Sequence, residues 1–443
     1  MASEPWTNWA GDQHCAPARI ARPASESELC EVVGRATEEG LRVRAAGSGH
    51  SFTDIACTDG LLVETAAMKR VIDADPSTGR VRVEAGLTLH ELGPLIAARQ
   101  LALENQGDID KQSVAGALAT ATHGTGVRFG NLATRVAAVR LVTASGDVVE
   151  IDADSDPEGL LAARVSLGAL GIASEIELEC VPLYTLTRID KPLPLDETLD
   201  RLDEHVDSND HFEFFLWPYT RTAMTRSTMR SDAAPDPTPS WKRAFQERLV
   251  ENGVLGAICR TGRRFPSQVP RLNRAMAGAM TESRVQDHAY RVYAGIRNVR
   301  FTEMEYAIPR AHAREALTRC MDLVEGRRLP VLFPFEIRFA AGDDALLSTA
   351  HERESCYIAC HQYTGMEFES FFRGVEAIMS DYDGRPHWGK RHYQSAASLR
   401  EVYPAWDRFQ AVRARLDPGG TFSNDYTRRV LGPVAEVPVA GRA

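Results

Sequence analysis

Two hydrophobic periods alternate along this 443-residue chain, and the switches between them mark its elements. Ser25 and Glu28 open a 3.6-residue pattern that carries Leu29, Val32, Val33 and Ala36 on one face and ends at Gly40, which predicts a capped helix. Residues 41–45 (LRVRA) then alternate with period two, as a half-buried strand does, and run into a glycine-rich turn. The same alternation returns at 80–85 (RVRVEA). Leu89, Leu92, Leu95 and Ile96 predict a second helix, and 136–143 with 147–151 a hairpin about Ala144-Ser145-Gly146. In the second half the alternating stretches turn aromatic: HFEFFLWPY from His211, RFTEMEYAIP from Arg300, VLFPFEIRFA from Val331 and SCYIACHQY from Ser355. Helical stretches such as 311–324 separate them. This half predicts an antiparallel sheet backed by helices. The proline-rich 229–241 predicts a connector, and the residues after 432 a loose tail; no internal repeat is present.

Length and charge narrow this picture. A chain of 443 residues exceeds one simple core, so the fold class expected is α+β in two domains. The net charge of −10, from 61 acidic against 51 basic residues, excludes nucleic acid as the main partner. No apolar run is long enough to span a bilayer, and the N-terminal residues lack the basic and apolar regions of a secretory signal, so the cytoplasm is the expected compartment. The eight cysteines form no C-x-x-C pair and no disulfide framework. Cys356, Cys360 and His361 share a strand-like stretch without a second ligand pair, and no metal is expected.

Candidate chemistry begins at the turn Gly47-Ser48-Gly49-His50-Ser51. A glycine turn after a strand lets backbone N–H groups approach an anionic group closely. A Rossmann dinucleotide site would need a third glycine opening a helix, but Phe52 stands there, and a P-loop would need G-K-[ST]. A second small-residue stretch, SVAGALATATHGTG over 113–126, offers Thr120, Thr122 and Thr125 as hydroxyl donors. Two such stretches in one unit favour a single extended cofactor, although a tight helix–sheet contact explains small residues as well. Further on, Glu336 and Arg338 lie two apart on a predicted strand and therefore share a face. They stand among Phe333, Phe335, Ile337 and Phe339, where buried charges demand partners or a task. Lys390 follows an aromatic residue and a glycine, a setting equally suited to a solvated surface.

Taken in order, GSGHSFTDIACTDG at Gly47, VEAG at Val83, ENQGDID at Glu104, ATHGTG at Ala121, SLGALGIASEIEL at Ser166, PFEIRF at Pro334, RPHWGKRH at Arg385 and LDPGGTFSNDYTRRVLG at Leu416 resemble one family over nearly the whole chain. They resemble the aldonolactone oxidoreductases of the vanillyl-alcohol-oxidase flavoprotein superfamily. These include L-gulono-1,4-lactone and D-arabinono-1,4-lactone oxidases and dehydrogenases and the alditol oxidases, and the actinobacterial gulonolactone dehydrogenase branch looks nearest.

The resemblance implies a PCMH-type FAD-binding domain over 1–183, completed by about 420–434, and a substrate (cap) domain over 184–419. It implies FAD bonded covalently to His50, and a cofactor site of Gly47, Ser48, Gly49, Ser51, Gly107, Ser113, Gly116, Thr120, Ala121, Thr122, His123, Thr125, Gly126 and Ile172. It assigns substrate to Asp108, Glu336, Arg338, His361, Tyr363 and Lys390. Asp108 stands where alditol oxidases carry serine, which weakens the alditol reading.

The chemistry implied is hydride transfer from a carbinol carbon to flavin N5. Arg338 and Lys390 would stabilise the alkoxide and Glu336 would orient the sugar hydroxyls, with no residue marked as general base. The expected partners are a sugar lactone or polyol and an electron acceptor, either dioxygen or a dye- or cytochrome-type acceptor. Gly107 matches the position that controls oxygen access, where glycine resembles the oxidases, whereas the nearest-looking branch is a dehydrogenase. A hydrogen-peroxide-forming alditol or sugar oxidase, and a flavin-free binding protein that kept the fold, are the rival readings.

Overall fold

The structure, a computed structural model, describes residues 4–237, 253–295 and 299–434. Its first helix, Glu26–Glu38, starts where Ser25 Oγ accepts the Glu28 N–H and buries Leu29, Val33 and Ala36. Glu28 itself turns back to the N–H of Ala24. The strand that follows is Val43–Ala46, later than the alternation suggests, because the Leu41 N–H still closes the helix end on Ala36 O. It joins Leu61–Glu64 and Arg19–Ala21 in a three-stranded parallel sheet.

A five-stranded antiparallel sheet comes next. Its order is Val148–Asp152, Val136–Val142, Ile172–Glu179, Arg80–Glu84, Val71–Asp75, and it contains the predicted hairpin. Helix Leu89–Ala97 opens on a Thr88–Glu91 capping box and buries Leu89, Leu92 and Ile96. Leu95 is 41% exposed, because a 3.6-residue period turns it off that stripe.

The second half is an eight-stranded antiparallel sheet. Its order is Ser283–His288, Thr185–Pro194, Thr222–Ser231, His211–Leu216, Phe335–Ala340, Ser355–Tyr363, Phe301–Pro309, Arg385–Pro386. Period two separates its faces. Phe212, Phe214, Tyr306, Ile337, Phe339 and Ile358 pack with helices Ala313–Gly326 and Glu369–Ser380. The opposite face carries Glu213, Glu303, Glu305, Glu336, Arg338 and His361. Residues 229–231 of the expected connector instead end a strand, and Asp236 bridges to Gln286. Residues 238–241 lie outside the described residues, as does the tail from 435.

The chain then returns to the first core. Helices Trp406–Leu416 and Asp425–Leu431 contribute Phe409, Val412, Tyr426 and Val430 to it. Packing there begins before residue 420, since Leu346, Trp388, Leu399 and Tyr403 already belong to that core. Two contacts fasten the closing segment to the glycine turn: Val43 N–H donates to Thr421 O, and the buried Arg44 guanidinium donates to the carbonyls of Ile55, Leu167, Gly168 and Phe422. Thr125 and Gly126 make the seam to the cap sheet. The Gly126 N–H donates to Phe339 O at 2.6 Å, and Thr125 Oγ1 donates to Phe212 O. No described helix is long and apolar enough to cross a membrane.

Candidate active site

Strand Val43–Ala46 delivers the chain into the 47–51 turn, where Gly49 adopts φ +69°. Facing it, Ser113 caps the short helix Val114–Ala119 by accepting the Gly116 N–H. The two loops touch: a Cβ on Gly47 would lie 2.0 Å from Ser113 Oγ, so any larger residue would have to turn that hydroxyl off its helix cap. Between them and the 163–176 segment runs a cleft of roughly 1140 Å³. Gly47, Ser48, Gly49, His50, Ser51, Ser113, Gly116, Thr120 and Ile172 line it, together with Arg44, Gln112 and Gly168. Small residues on both walls and backbone N–H groups at the turn suit an elongated, flat, phosphate-bearing group, so these residues fit FAD.

A second cavity, roughly 670 Å³, meets the first at His50, Ser51, Gln112 and Thr120. Its wall is charged. Gly107, Asp108, Thr122, His123, Glu336, Arg338, His361 and Lys390 line it, as expected residues, and so do Glu303, His387, Phe52 and Phe301, which the sequence reading missed. Three expected residues line neither cavity: Ala121 is buried at φ +58°, and Thr125 and Gly126 serve the seam. A fourth, Tyr363, shares its strand face with His361 but sits at the strand end under the Arg263 guanidinium, 5.3 Å from its ring centre.

The electrostatics of this wall are built from pairs. The Arg338 Nε donates to Glu213 Oε2 at 2.9 Å, while Nη2 lies 3.0 Å from Asp108 Oδ1 and also bonds Glu336. Glu213 in turn accepts from Arg226, which also holds Asp190. Burial alone would pull the Arg338 pKa down, but Glu336, Asp108 and Glu213 outweigh it and push it well above the usual arginine value. The Lys390 Nζ reaches Glu303 Oε1 at 2.5 Å and Glu305 Oε2 at 2.8 Å. Burial opposes its charge and the two carboxylates prevail, so Lys390 is held as an ammonium. Glu303, likewise disfavoured by burial but paired with Lys390 and His361, is lowered to about 2. Its Oε1 lies 3.2 Å from His361 Nε2.

Three imidazoles frame the junction. His123 bridges Glu305 Oε1 at 2.9 Å and Gly124 O at 2.8 Å and stacks on Tyr357. His387, pushed down to about 3 by burial and then by Lys390, is neutral; its Nδ1 accepts the Gly389 N–H and its proton is on Nε2. His123, Glu305 and His387 bring ligand-type atoms within 4.8 Å of one another, but Glu305 is already committed to the Lys390 ammonium. His50 stacks on Trp9 at 5.3 Å, and burial lowers it to about 4, so its ring is neutral at neutral pH. Cys356 and Cys360 lie on the apolar face of the sheet, away from this site.

The arrangement is that of a flavin-dependent oxidoreductase: a small-residue cleft for an elongated cofactor, opening at one histidine onto a chamber lined by paired ions. The fold agrees. A solvent-stable cholesterol oxidase superposes with a TM-score of 0.82 over 98% of this chain and 98% of that one, at 18% identity. The model of the FAD binding domain matches residues 17–152, and that of D-arabinono-1,4-lactone oxidase matches 176–430. The chain belongs to this aldonolactone oxidase family and carries its FAD-binding domain. It is 61% identical to the L-gulono-1,4-lactone dehydrogenase of Mycobacterium tuberculosis over 97% of this chain and 99% of that one. It is 33% identical to the L-gulonolactone oxidase of Bos taurus over 96% and 97%. It is 31% identical to a Streptomyces alditol oxidase over 96% and 98%.

Proposed function

We propose that the protein oxidises a sugar 1,4-lactone of the L-gulono type at a secondary hydroxyl and hands the electrons to an acceptor other than dioxygen. One observation carries this reading: the cofactor cleft and the chamber holding Arg338, Lys390 and Glu336 join at His50. The 61% identity to a lactone dehydrogenase sets the substrate class.

FAD, when bound, supplies the hydride acceptor. Gly47, Ser48, Gly49, Ser51, Ser113, Gly116, Thr120 and Ile172 would hold it, with His50 as its covalent anchor. Arg338 and Lys390 are fixed cations in a buried chamber. They stabilise the negative charge that develops on the substrate oxygen as its hydroxyl proton passes to water and the hydride leaves its carbon for the cofactor, and no reorganisation is needed at that moment. Glu336 accepts hydrogen bonds from neighbouring sugar hydroxyls, and Asp108 shares the Arg338 Nη2 with it. Glu303, locked between Lys390 and His361, keeps Lys390 protonated, so Lys390 acts as a cation rather than as a base.

Anaerobic mixing with L-gulono-1,4-lactone, D-arabinono-1,4-lactone and xylitol tests the reading. Bleaching of the flavin band by the gulonolactone at the lowest concentration is expected, and bleaching by xylitol alone would replace it with the alditol reading. Acid precipitation tests the anchor: colour in the pellet is expected for the wild type and in the supernatant for His50→Ala.

A further inference from the structure

Helices Leu255–Arg264 and Val269–Gly278, joined through the turn Pro266–Gln268, form a hairpin on the outside of the chamber. Cys259 and Val269, with Leu255, Ile258 and Leu272, turn inward onto Phe52, Phe301 and Phe333. Phe52 and Phe301 also line the chamber, so the hairpin backs its wall.

The outer face is unlike the rest of the molecule. Residues 252–281 contain five arginines and no acidic residue, in a chain of net charge −10. All five are exposed. Among the described residues none has a carboxylate within ion-pair distance, whereas Arg82, Arg140 and Arg310 elsewhere each pair with several. Arg271 and Arg274 reach only Gln268 Oε1 and Pro270 O. At the two ends of the first helix stand Val254, 54% exposed, and Phe265, 53% exposed, the two most exposed large apolar side chains of the described residues.

We propose that this hairpin docks the enzyme on a bilayer surface bearing anionic phospholipids. Guanidinium groups not neutralised by a carboxylate pair well with phosphate oxygens, and the anionic leaflet attracts clustered arginines. Two apolar side chains about 16 Å apart along a helix, with Arg260, Arg263 and Arg264 between them, suit insertion at the headgroup level. They do not form the continuous apolar core that a protein interface buries. The acidic remainder of the molecule is repelled by the same surface, which fixes one orientation. Docked in it, the enzyme presents the wall of its chamber towards acceptors carried in the bilayer.

Cosedimentation of the flavin-loaded full chain with vesicles of equal phosphatidylglycerol and phosphatidylcholine, against pure phosphatidylcholine, tests this at about 0.1 M salt. Binding to the first only, released by high salt, is expected. Arg260→Gln/Arg264→Gln/Arg271→Gln should weaken it on the order of 100-fold and Phe265→Ser should weaken it less, with flavin content, melting temperature and dye-linked lactone turnover in solution unchanged. A control triple away from the hairpin, Arg314→Gln/Arg373→Gln/Arg400→Gln, should bind like the wild type. Absence of binding to anionic vesicles, equal binding by the hairpin triple, or equal weakening by the control overturns the proposal. Retention on an immobilised acidic ferredoxin with none on vesicles would assign the face to a protein instead.

Discussion

The cofactor cleft and the chamber meet at His50 yet are made in opposite ways. The cleft is made by leaving side chains out: Gly47, Gly49, Gly116 and the 163–176 loop clear space, and the turn offers backbone groups. The chamber is made by putting charges in. Arg338 stands among three carboxylates and Lys390 between two; Arg338 and the four glutamates are buried, Asp108 and Lys390 half-buried. A cofactor held for many turnovers needs shape. A transient alkoxide needs fixed charge, and fixed charge survives burial only when every ion has a partner. The first region is sensitive to added atoms, at Gly47 and Gly116 above all, and the second to a lost ion.

Removing a charge should therefore have the largest effect. Arg338→Met removes the cation that Glu213, Glu336 and Asp108 share and puts an apolar side chain in its place. A fall in the rate of flavin bleaching by lactone of about 10³ or more is expected, with a stability loss of about 3–5 kcal/mol. Stopped-flow absorbance and thermal melts would show both, and a variant that bleaches normally would remove Arg338 from the chemistry. Adding atoms to the cleft comes next. Gly47→Val should yield protein without flavin, and Gly47→Ala should lose about 1–3 kcal/mol through its clash with Ser113; flavin-to-protein absorbance ratios decide.

A gentler change separates charge from shape. Glu303→Gln keeps the volume but leaves Lys390 one carboxylate. A lysine raised by its partners keeps its charge until pH passes its folded pKa, so the alkaline loss of kcat should begin about one pH unit lower in this variant. Glu303 itself is depressed, from 4.5 to about 2. Its stabilising contribution is complete above the unfolded value and is lost as pH falls towards the folded one. Acid unfolding of Glu303→Gln should accordingly depend less steeply on pH between these limits. The smallest effect is expected at Gly107→Ala. An added Cβ there meets His123 O at 3.1 Å, a few tenths of an ångström too close. Lactone turnover with a dye should stay within about threefold, while the residual oxygen consumption that accompanies it, read with an electrode, should fall further.

The cleft was largely legible in the sequence because its signals are local: a strand, a glycine turn with His50, and a capped run of small residues. The chamber was legible only where charge stood out against aromatics, as at Glu336 and Arg338. Glu303 and Glu305 escaped because alternation in RFTEMEYAIP also describes a strand with one face in water. Only the neighbouring strand Ser355–Tyr363 and Lys390, arriving more than eighty residues later, turn that face into an interior. Glu213 in HFEFFLWPY is concealed in the same way. Tyr363 and the Thr125-Gly126 pair show the converse, residues expected at the site that line neither cavity. A residue of the right type in the right stretch is carried past the site by the end of a strand, or is taken up by the seam between two sheets.

Arg44 gives the cofactor cleft a place in time as well as in space. Its guanidinium holds the carbonyl of Phe422, 378 positions along the chain, while the same group holds Ile55 and Gly168 beside the glycine turn. Contacts of such separation form late, because the loop they close must first be ordered. On a ribosome, the turn that begins near residue 47 waits for almost the entire chain before its support is complete. Flavin is then captured at the end of folding rather than at its start, and a truncated chain, however well its first sheet forms, lacks the last segment that fastens this turn.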